Sequence, residues 1–276
     1  MKIRKEISVV MSVYRGDVAM HFRDSVNSLL KQTYMPAEII VVVDGEVKSE
    51  VNLELIKFSQ NKLINIVRLP QNKGLANALN VGISKASCKY IARMDSDDIC
   101  SVDRFQKQYE HLLNNNLDIV GGQIIEFGEN VNDVISERKV PLEHNEIVKF
   151  LKTRSPFSHP TIIFKKEVFD KIEGYDVKVF PEDYDFFVRA FLSGFKFGNV
   201  KENVLWFRIG ADQKSALKRR HGLKYAKNEF KLYKKFYNYG YYNLVDFFKV
   251  FLFKLPLRIL PFPIFSYLYS NLFRKI

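Results

Sequence analysis

Cysteine is scarce: only Cys88 and Cys100 occur in 276 residues. A chain of this length buries enough apolar surface to fold without covalent staples. A disulfide framework is therefore excluded, and two lone thiols suit a reducing cytoplasm, where both act as small buried hydrophobes. Long apolar runs are missing at the start, where Met1-Lys2-Ile3-Arg4-Lys5-Glu6 passes straight into a strand-like stretch. That argues against a secretory signal. No segment repeats, no low-complexity linker intervenes, and a hydrophobic content of 47% leaves no sign of disorder. Acidic charge is short at one end only. Residues 201–276 hold 16 Lys and Arg against 4 Asp and Glu, which accounts for the whole net charge of +12 and leaves residues 1–200 balanced. A basic end of this kind could meet nucleic acid, an anionic membrane or a phosphate-bearing substrate.

What is present is an alternation of strand and helix patterns over the first 130 residues, which predicts crossover units and a mostly parallel sheet. Ile7–Tyr14 reads as a buried strand, and Glu38–Gly45, Ile64–Leu69 and Tyr90–Met94 as three more strands. Val18, Phe22, Val26, Leu29 and Leu30 mark one amphipathic helix, and Leu75, Leu79, Gly82, Ile83 and Ala86 another, with a polar helix between the second and third strands. Further on, the pattern predicts helices at Asn145–Lys152 and Glu182–Ser193, a strand at Thr161–Phe164, and two short strands, Phe195–Val200 and Val204–Ile209. A long basic helix is predicted over Gln213–Asn238. Ligands of open α/β sheets bind outside the carboxyl ends of the strands. Tyr14, Asp44 and Asp95 all fall at such ends, so three distant parts of the chain should converge on one edge.

Asp95-Ser96-Asp97-Asp98 places three carboxylates in four residues just past a strand. Like charges this close repel unless a cation or strong donors offset them. A hard divalent ion, Mn2+ or Mg2+, is the simplest compensation and would act as a Lewis acid on a departing diphosphate. A plain acidic turn leading into a helix N-cap uses the same residue types. Glu182-Asp183 opens a helix that continues with Phe186, Phe187, Ala190 and Phe191, which holds an acid pair at the end of an anchored element. Ordinary acidic capping produces the same pattern.

In order and spacing, Ser8–Tyr14, Asp44-Gly45, Asn72-Lys73-Gly74, Met94–Asp98 and Pro181-Glu182-Asp183 resemble the family 2 glycosyltransferases, over residues 6–210. The resemblance implies an inverting enzyme of GT-A fold: a Rossmann-like, mostly parallel central sheet flanked by helices. It implies a nucleotide-sugar half at 1–100, an acceptor half at 101–210, and a basic helical extension at 211–276. By the same resemblance Val13, Tyr14 and Arg15 hold the nucleotide, Asp44 reads uracil, and Asn72 and Gly74 line the site. Asn77 reaches the donor, and Asp95 and Ser96 lie beside ribose or sugar. Asp97 is the principal metal ligand, with Asp95 assisting and Asp98 in support behind it. Asp183 is the general base with Glu182 beside it, and His159 in His159-Pro160 lies on the acceptor side. One departure stands out. Relatives place a metal-binding His shortly after an aromatic-Arg pair, whereas Trp206-Phe207-Arg208-Ile209-Gly210 has glycine there. That leaves the third protein ligand open. Arg208, or Arg219 and Arg220, would balance the diphosphate charge instead, although the last two also fit a solvated basic face.

The end of the chain, Leu244–Ile276, is dense in Phe, Leu and Tyr but interrupted by Asp246, Lys249, Lys254 and Arg258, with Pro256, Pro261 and Pro263 breaking any long helix. A spanning helix needs about 20 apolar residues without such breaks, so a peripheral segment in an anionic interface fits better. A helical hairpin packed on the domain is the other reading. Nucleic acid fits poorly, because the segment is greasier than base stacking requires. The resulting expectation is a peripheral enzyme on the cytoplasmic face of the plasma membrane. It would move a hexose or N-acetylhexosamine from a UDP-sugar to a lipid-diphosphate-linked glycan in O-antigen, capsule or exopolysaccharide synthesis. No oligomeric state follows. Two rivals remain: a sugar nucleotidyltransferase, against which Val13-Tyr14-Arg15-Gly16-Asp17 lacks a glycine-rich basic loop, and a non-catalytic nucleotide-sugar-binding scaffold.

Overall fold

Four parallel strands form the heart of the sheet: β1 (Ile7–Val13), β2 (Glu38–Asp44), β3 (Ile64–Leu69) and β4 (Tyr90–Met94), in the order β3-β2-β1-β4. The computed structural model describes residues 6–210, 217–218 and 220–269. Side chains of a strand alternate between faces, and parallel sheets are covered on both. Val10, Ile40, Val42 and Ile91 accordingly join one apolar cluster, and Val9, Met11, Val41 and Ala92 the other. Helices α1 (Ala19–Leu29) and α2 (Ser49–Phe58) cover the second cluster, and α3 (Leu75–Lys85) the first. The contact of α3 with the sheet is so close that a Cβ on Gly82 would sit 2.5 Å from Val10 Cγ1.

The second half is mixed. It comprises β5 (Ile99–Cys100), α4 (Arg104–Asn114), β6 (Ile119–Phe127), β7 (Val134–Arg138), α5 (His144–Leu151), β8 (Ile163–Lys165), α6 (Lys166–Lys171), α7 (Glu182–Leu192) and β9 (Phe197–Arg208). The full order is β3-β2-β1-β4-β8-β6-β9-β5, with β7 paired to β6. β8, β5 and β7 run against their neighbours and the other six strands share one direction, so the sheet is mostly parallel as expected.

Several boundaries differ from the sequence reading. Two short strands were expected across Phe195–Ile209, but the chain forms one strand, β9, whose register against β6 shifts around Gln123 to absorb the polar Lys201-Glu202-Asn203. The expected strand Thr161–Phe164 is instead a 3-10 turn at His159–Thr161 followed by β8, with Pro160 inside the turn. Strands β6 and β7 and helix α6 had no expectation attached to them.

In the tail, a helix covers Leu223–Asn238, starting after Gly222 at φ 96°. Residues 213–216 of the predicted helix, and Arg219, lie outside the described residues. Leu232, Tyr233 and Phe236 of this helix join the apolar cluster that contains α7. A second tail helix spans Leu244–Ile259, opened by a capping box between Asn243 and Asp246. Pro256 does not break it as expected: the proline is exposed and in the penultimate turn, where the carbonyl it orphans can face water. Phe262–Leu268 forms a third, short helix. Arg258 pairs with buried Glu229 at 2.8 and 2.9 Å, tying the second helix to the first. One face of the tail packs on the domain through Val250, and Leu257 packs within the tail against Leu217 and Phe265, while Phe248, Leu252 and Phe253 stand in solvent, Phe253 72% exposed. Among the described residues no helix is long and apolar enough to cross a membrane.

Candidate active site

The pairing register brings the strand ends together. β1 runs beside β2 as far as Val13 opposite Val43, and beside β4 as far as Met11 opposite Met94. Tyr14, Asp44 and Asp95 therefore emerge at one edge, as their positions in the crossover units predicted.

After buried Val13 the chain turns tightly: Asp17 accepts the Tyr14 N–H at 2.8 Å, and the Asp17 N–H reaches the Tyr14 carbonyl at 3.1 Å. Tyr14 and Arg15 are exposed at the mouth. Asp44 is buried and accepts two backbone N–H groups, from Lys73 to one oxygen and from Gly74 to the other, both at 2.8 Å. Its carbonyl accepts from Asn72 Nδ2 at 3.1 Å. Asp44 thus pins the Asn72-Lys73-Gly74 loop across the strand ends. Gly45, at φ 81°, permits the close pass, since a Cβ there would lie 2.5 Å from the Asn72 nitrogen. Gly74 caps α3 at φ 87°, and Asn77 lies half-buried in the first turn of that helix.

The acidic turn links β4 to β5. Asp95 is held bidentately by Arg93, at 2.5 and 2.7 Å, and its carbonyl accepts from Ser25 Oγ. Ser96 is buried and close enough to Asp17 to hydrogen-bond its carboxylate. Asp98 is fully buried: one oxygen accepts the Arg208 N–H at 2.9 Å and the other has no partner among the described residues. Burial, then repulsion from Asp95 and Asp17, pushes Asp97 up to about 7. Burial and Asp97 raise Asp98 well above the usual carboxylate range. Asp17 is raised to about 6, mainly by burial, with Asp95 adding to it.

These residues fit a hard divalent ion. Ligand oxygens of Asp95, Asp97 and Asp98 all lie within 4.8 Å of one another, and a buried carboxylate oxygen without a donor is a group that a cation would satisfy. Asp97 and Asp95 would hold such an ion, with the Asp98 carboxylate close enough for the ion's charge to offset its own.

Arg208 closes the turn from β9. Its Nε donates to the Asp97 carbonyl at 2.9 Å, its Nη1 to the Glu129 carbonyl, and its guanidinium lies 4.5 Å from the Phe127 ring. The side chain is largely buried, so its geometry is that of a clamp on the acidic turn. Gly210, where a metal-binding His was anticipated, sits at φ 71° with only Glu129 near its missing Cβ.

Across from the turn, Glu182 and Asp183 open α7. Asp183 accepts from Ser155 Oγ at 3.1 Å. Glu182 is raised to about 7 by burial and by adjacent Asp183, and it feels the charges of Arg93 and Asp95. Arg93 and Asp95 therefore lie within electrostatic range of the acid pair. His159 shares a 2.9 Å hydrogen bond with the Tyr175 hydroxyl, and burial, then Arg93, holds it well below its usual pKa. It is thus a neutral imidazole at the floor of the acid-pair side.

The model of the family described as Glycosyl transferase family 2 matches residues 8–173. The chain belongs to that family. It is 31% identical over 271 residues to the UDP-Gal:alpha-D-GlcNAc-diphosphoundecaprenol beta-1,3-galactosyltransferase of Escherichia coli, covering 98% of this chain and 97% of that one. It is 36% identical over 235 residues to the O-antigen biosynthesis glycosyltransferase WbnJ of Escherichia coli, covering 83% and 91%. Among solved structures, the mannosyltransferase PcManGT from Pyrobaculum calidifontis, in complex with GDP-Man and Mn2+, matches with a TM-score of 0.67 at 14% identity, covering 98% of this chain and 75% of that one. The GT-A fold is shared.

For a family 2 glycosyltransferase, the sequence reading missed three site residues. Arg93 reads as one more residue of a buried strand. Asp17 reads as a loop residue, although its spacing three past Tyr14 is the signal of a turn that folds back on itself. Tyr175 carried no signal. Asn80 on α3 both donates to the Tyr175 carbonyl and accepts its N–H, each at 2.8 Å, which fixes that loop beside the acid pair. The matched segment ends before Glu182.

Proposed function

We propose that this glycosyltransferase moves a hexose or N-acetylhexosamine from a UDP-sugar, with inversion, to a lipid-diphosphate-linked glycan during O-antigen, capsule or exopolysaccharide synthesis. The observation that carries the reading is the near end-to-end match to an enzyme whose name states a UDP-sugar donor and a diphosphoundecaprenol-linked acceptor. The opposition of Asp95-Asp97 to Glu182-Asp183 supports it, since inversion needs a base on the face away from the leaving group.

In this reading the loop pinned by Asp44 and the turn at Tyr14 and Arg15 cradle the nucleotide, with Asn72, Gly74 and Asn77 along its path. Asp95, oriented by Arg93, contacts the donor beside Ser96. Asp97, with Asp95, holds Mn2+ or Mg2+, which when bound stabilises charge on the departing diphosphate. Asp183, oriented by Ser155, takes the acceptor proton. Glu182, which is easily protonated near neutral pH, sits beside the acceptor hydroxyl, and His159 supports that wall through Tyr175. The exposed apolar face of the tail, flanked by Lys and Arg, suits a peripheral position on an anionic inner leaflet, where such acceptors are presented.

The test is incubation with UDP-sugars, Mn2+ and a GlcNAc-diphospho-lipid. UDP release and transfer are expected, and both should collapse in Asp183→Asn with the fold intact. Near-normal transfer by that variant removes Asp183 as the base. Release of pyrophosphate would mark a nucleotidyltransferase. UDP-sugar binding without turnover on any lipid-diphosphate acceptor would mark a scaffold, the reading that Gly210 favours.

A further inference from the structure

Outside the acidic turn, the densest grouping of charge lies where the tail meets the acid-pair side. Arg138 on β7, Arg220, and Arg258 on the second tail helix act on Tyr269, and Lys254, one turn before Arg258 on that helix, lies within electrostatic range of Arg258 and Arg154. Arg220 Nη1 donates to the Tyr269 hydroxyl at 2.9 Å, and the Arg258 guanidinium lies 5.3 Å from the Tyr269 ring. Lys254 Nζ donates to the Thr153 carbonyl. Thr153-Arg154-Ser155 is one short loop, and its Ser155 holds Asp183. The cations and the acid pair are therefore mounted on the same segment. Arg138 lies within electrostatic range of both Asp183 and Arg220.

The carboxylates within electrostatic range of Arg138 are Glu126 and Asp183. Glu229 is committed to Arg258. Among the described residues no carboxylate forms an ion pair with Arg138, Arg220 or Lys254. The repulsion leaves its mark: burial, then Arg220, holds Arg138 below the usual arginine range. Burial lowers Lys254 to about 8, with Arg258 and Arg154 adding to the effect. Tyr269, despite its burial, is held below its ordinary value by Arg220 and Arg258. Yet these side chains are not sealed in. Arg220 is exposed, and Arg138 and Lys254 are largely buried but keep part of their surface open to solvent.

The cluster is distinct from the donor side. Besides burial, the charges acting on Asp97 are those of Asp95, Asp17 and Arg93, and those acting on Asp98 are Asp97, Asp95 and Arg93. Lys254 also adjoins the exposed Phe251, Leu252 and Phe253 on its own helix. A ligand with a multiply charged anion at one end and a long apolar chain at the other would satisfy both features.

We propose that Arg138, Arg220 and Lys254 form a binding site for the diphosphate of the acceptor, with its lipid running along the exposed face of the Leu244–Ile259 helix. This rests on the reading of the acceptor as lipid-diphosphate-linked. The site lies on the Asp183 side, so the sugar next to the diphosphate presents its hydroxyl to the base. Guanidinium groups suit the task because they bind phosphate oxygens in a bidentate manner. The cluster thereby selects acceptors by the phosphates on their first sugar rather than by the sugar alone.

The test uses the full chain and farnesyl diphosphate as probe, with farnesol, inorganic diphosphate and anionic phospholipid vesicles as comparison arms. Farnesyl diphosphate should bind in a salt-sensitive manner, inorganic diphosphate more weakly, and farnesol weakest of all. Arg138→Gln and Arg220→Gln should each weaken farnesyl diphosphate binding about tenfold or more, with Arg138→Lys between. The shift in melting temperature caused by UDP with Mn2+ should stay as in the wild type. The site is overturned if both Gln variants bind the probe like the wild type, if UDP displaces it, or if farnesol binds equally well. Loss of vesicle binding alone in the variants, with the probe unaffected, also overturns it. Transfer is scored separately. Turnover on a GlcNAc-diphospho-lipid with unaltered probe binding by the variants keeps the function and removes this site. Probe binding that depends on the arginines, without turnover, does the reverse.

Discussion

Arg93 holds both carboxylate oxygens of Asp95, at 2.5 and 2.7 Å, from inside the sheet. Its register opposite Val10 puts it on the face that also carries Tyr175 and α7. One buried cation thus serves the donor side directly and shapes the electrostatics of the acid pair opposite.

Arg93→Gln should therefore act at two places. Breaking a buried pair costs on the order of 3 kcal/mol, less here because Asp95 is partly exposed. Urea unfolding should show that loss. In a folded preparation the acid limb of the pH–rate profile should also move upward, because Arg93 lowers Glu182. A drop in stability with an unmoved profile would confine Arg93 to a structural part.

Asp98→Asn tests support behind the ion. The partnerless oxygen is replaced by an amide, and the Arg208 N–H keeps an acceptor. Losing an outer partner of a metal ligand typically costs about 10- to 100-fold in affinity. Titration of Mn2+ against melting temperature should show that loss, whereas Asp97→Asn should abolish the Mn2+ response altogether.

The pH dependence of stability has a definite sign. Asp17 at about 6, and Asp97 and Glu182 at about 7, lie above the ordinary values of 3.8 for Asp and 4.5 for Glu. The folded protein thus binds more protons than the unfolded chain between these values. Without metal, the contribution of these groups to stability is greatest below about pH 4, falls as pH rises to about 7, and then levels off. Mn2+ must displace a proton from Asp97 at the acid end, so it should raise the melting temperature more at about pH 8 than at about pH 5.5. Equal shifts at both pH values would contradict the raised Asp97.

Gly82→Ala should destabilise without touching the site. The added methyl meets Val10 and Val42 at 2.5 and 3.0 Å, both in the sheet core. Overpacking of this kind costs about 1–3 kcal/mol. Chemical denaturation should report it, with UDP affinity unchanged.

The first half of the fold was legible because β1, β2 and β4 are buried on both faces and each helix on one, so the pattern of the apolar residues identifies the element. β6 escaped because Gly121-Gly122-Gln123 reads as a turn. The glycines are there for contact: a Cβ on Gly121 would meet Asn199 Oδ1 at 2.3 Å, and one on Gly122 would meet Val204 at 2.6 Å. β9 was divided in two because its polar middle is accommodated by a shift of register, which no period reveals. The acidic turn, Asp44 and the acid pair were legible as residues carrying charge at element ends. Their partners were not. Arg93 is two residues from Asp95 but is hidden in a buried strand, Ser155 is 28 residues from Asp183, and Tyr175 meets His159 across 16 residues, so only the folded sheet shows what each one holds.

Helix α7 has two allegiances. Its first turn presents Glu182 and Asp183, while the next residues, Tyr184 and Asp185, reach into the tail. Asp185 meets Lys235 at 3.0 Å as well as Arg189 at 2.6 Å, and the hydroxyls of Tyr184 and Tyr242 lie 3.3 Å apart. Truncation before Leu223 would strip a buried carboxylate of one of its two cations and uncover an aromatic floor. Grafting another tail would have to replace both. The family model ends at residue 173, so the helix bearing the acid pair and the tail that braces it both lie beyond the matched segment. In evolutionary terms, acceptor chemistry and tail are then expected to diverge as one inherited module, while the nucleotide end stays as the family made it.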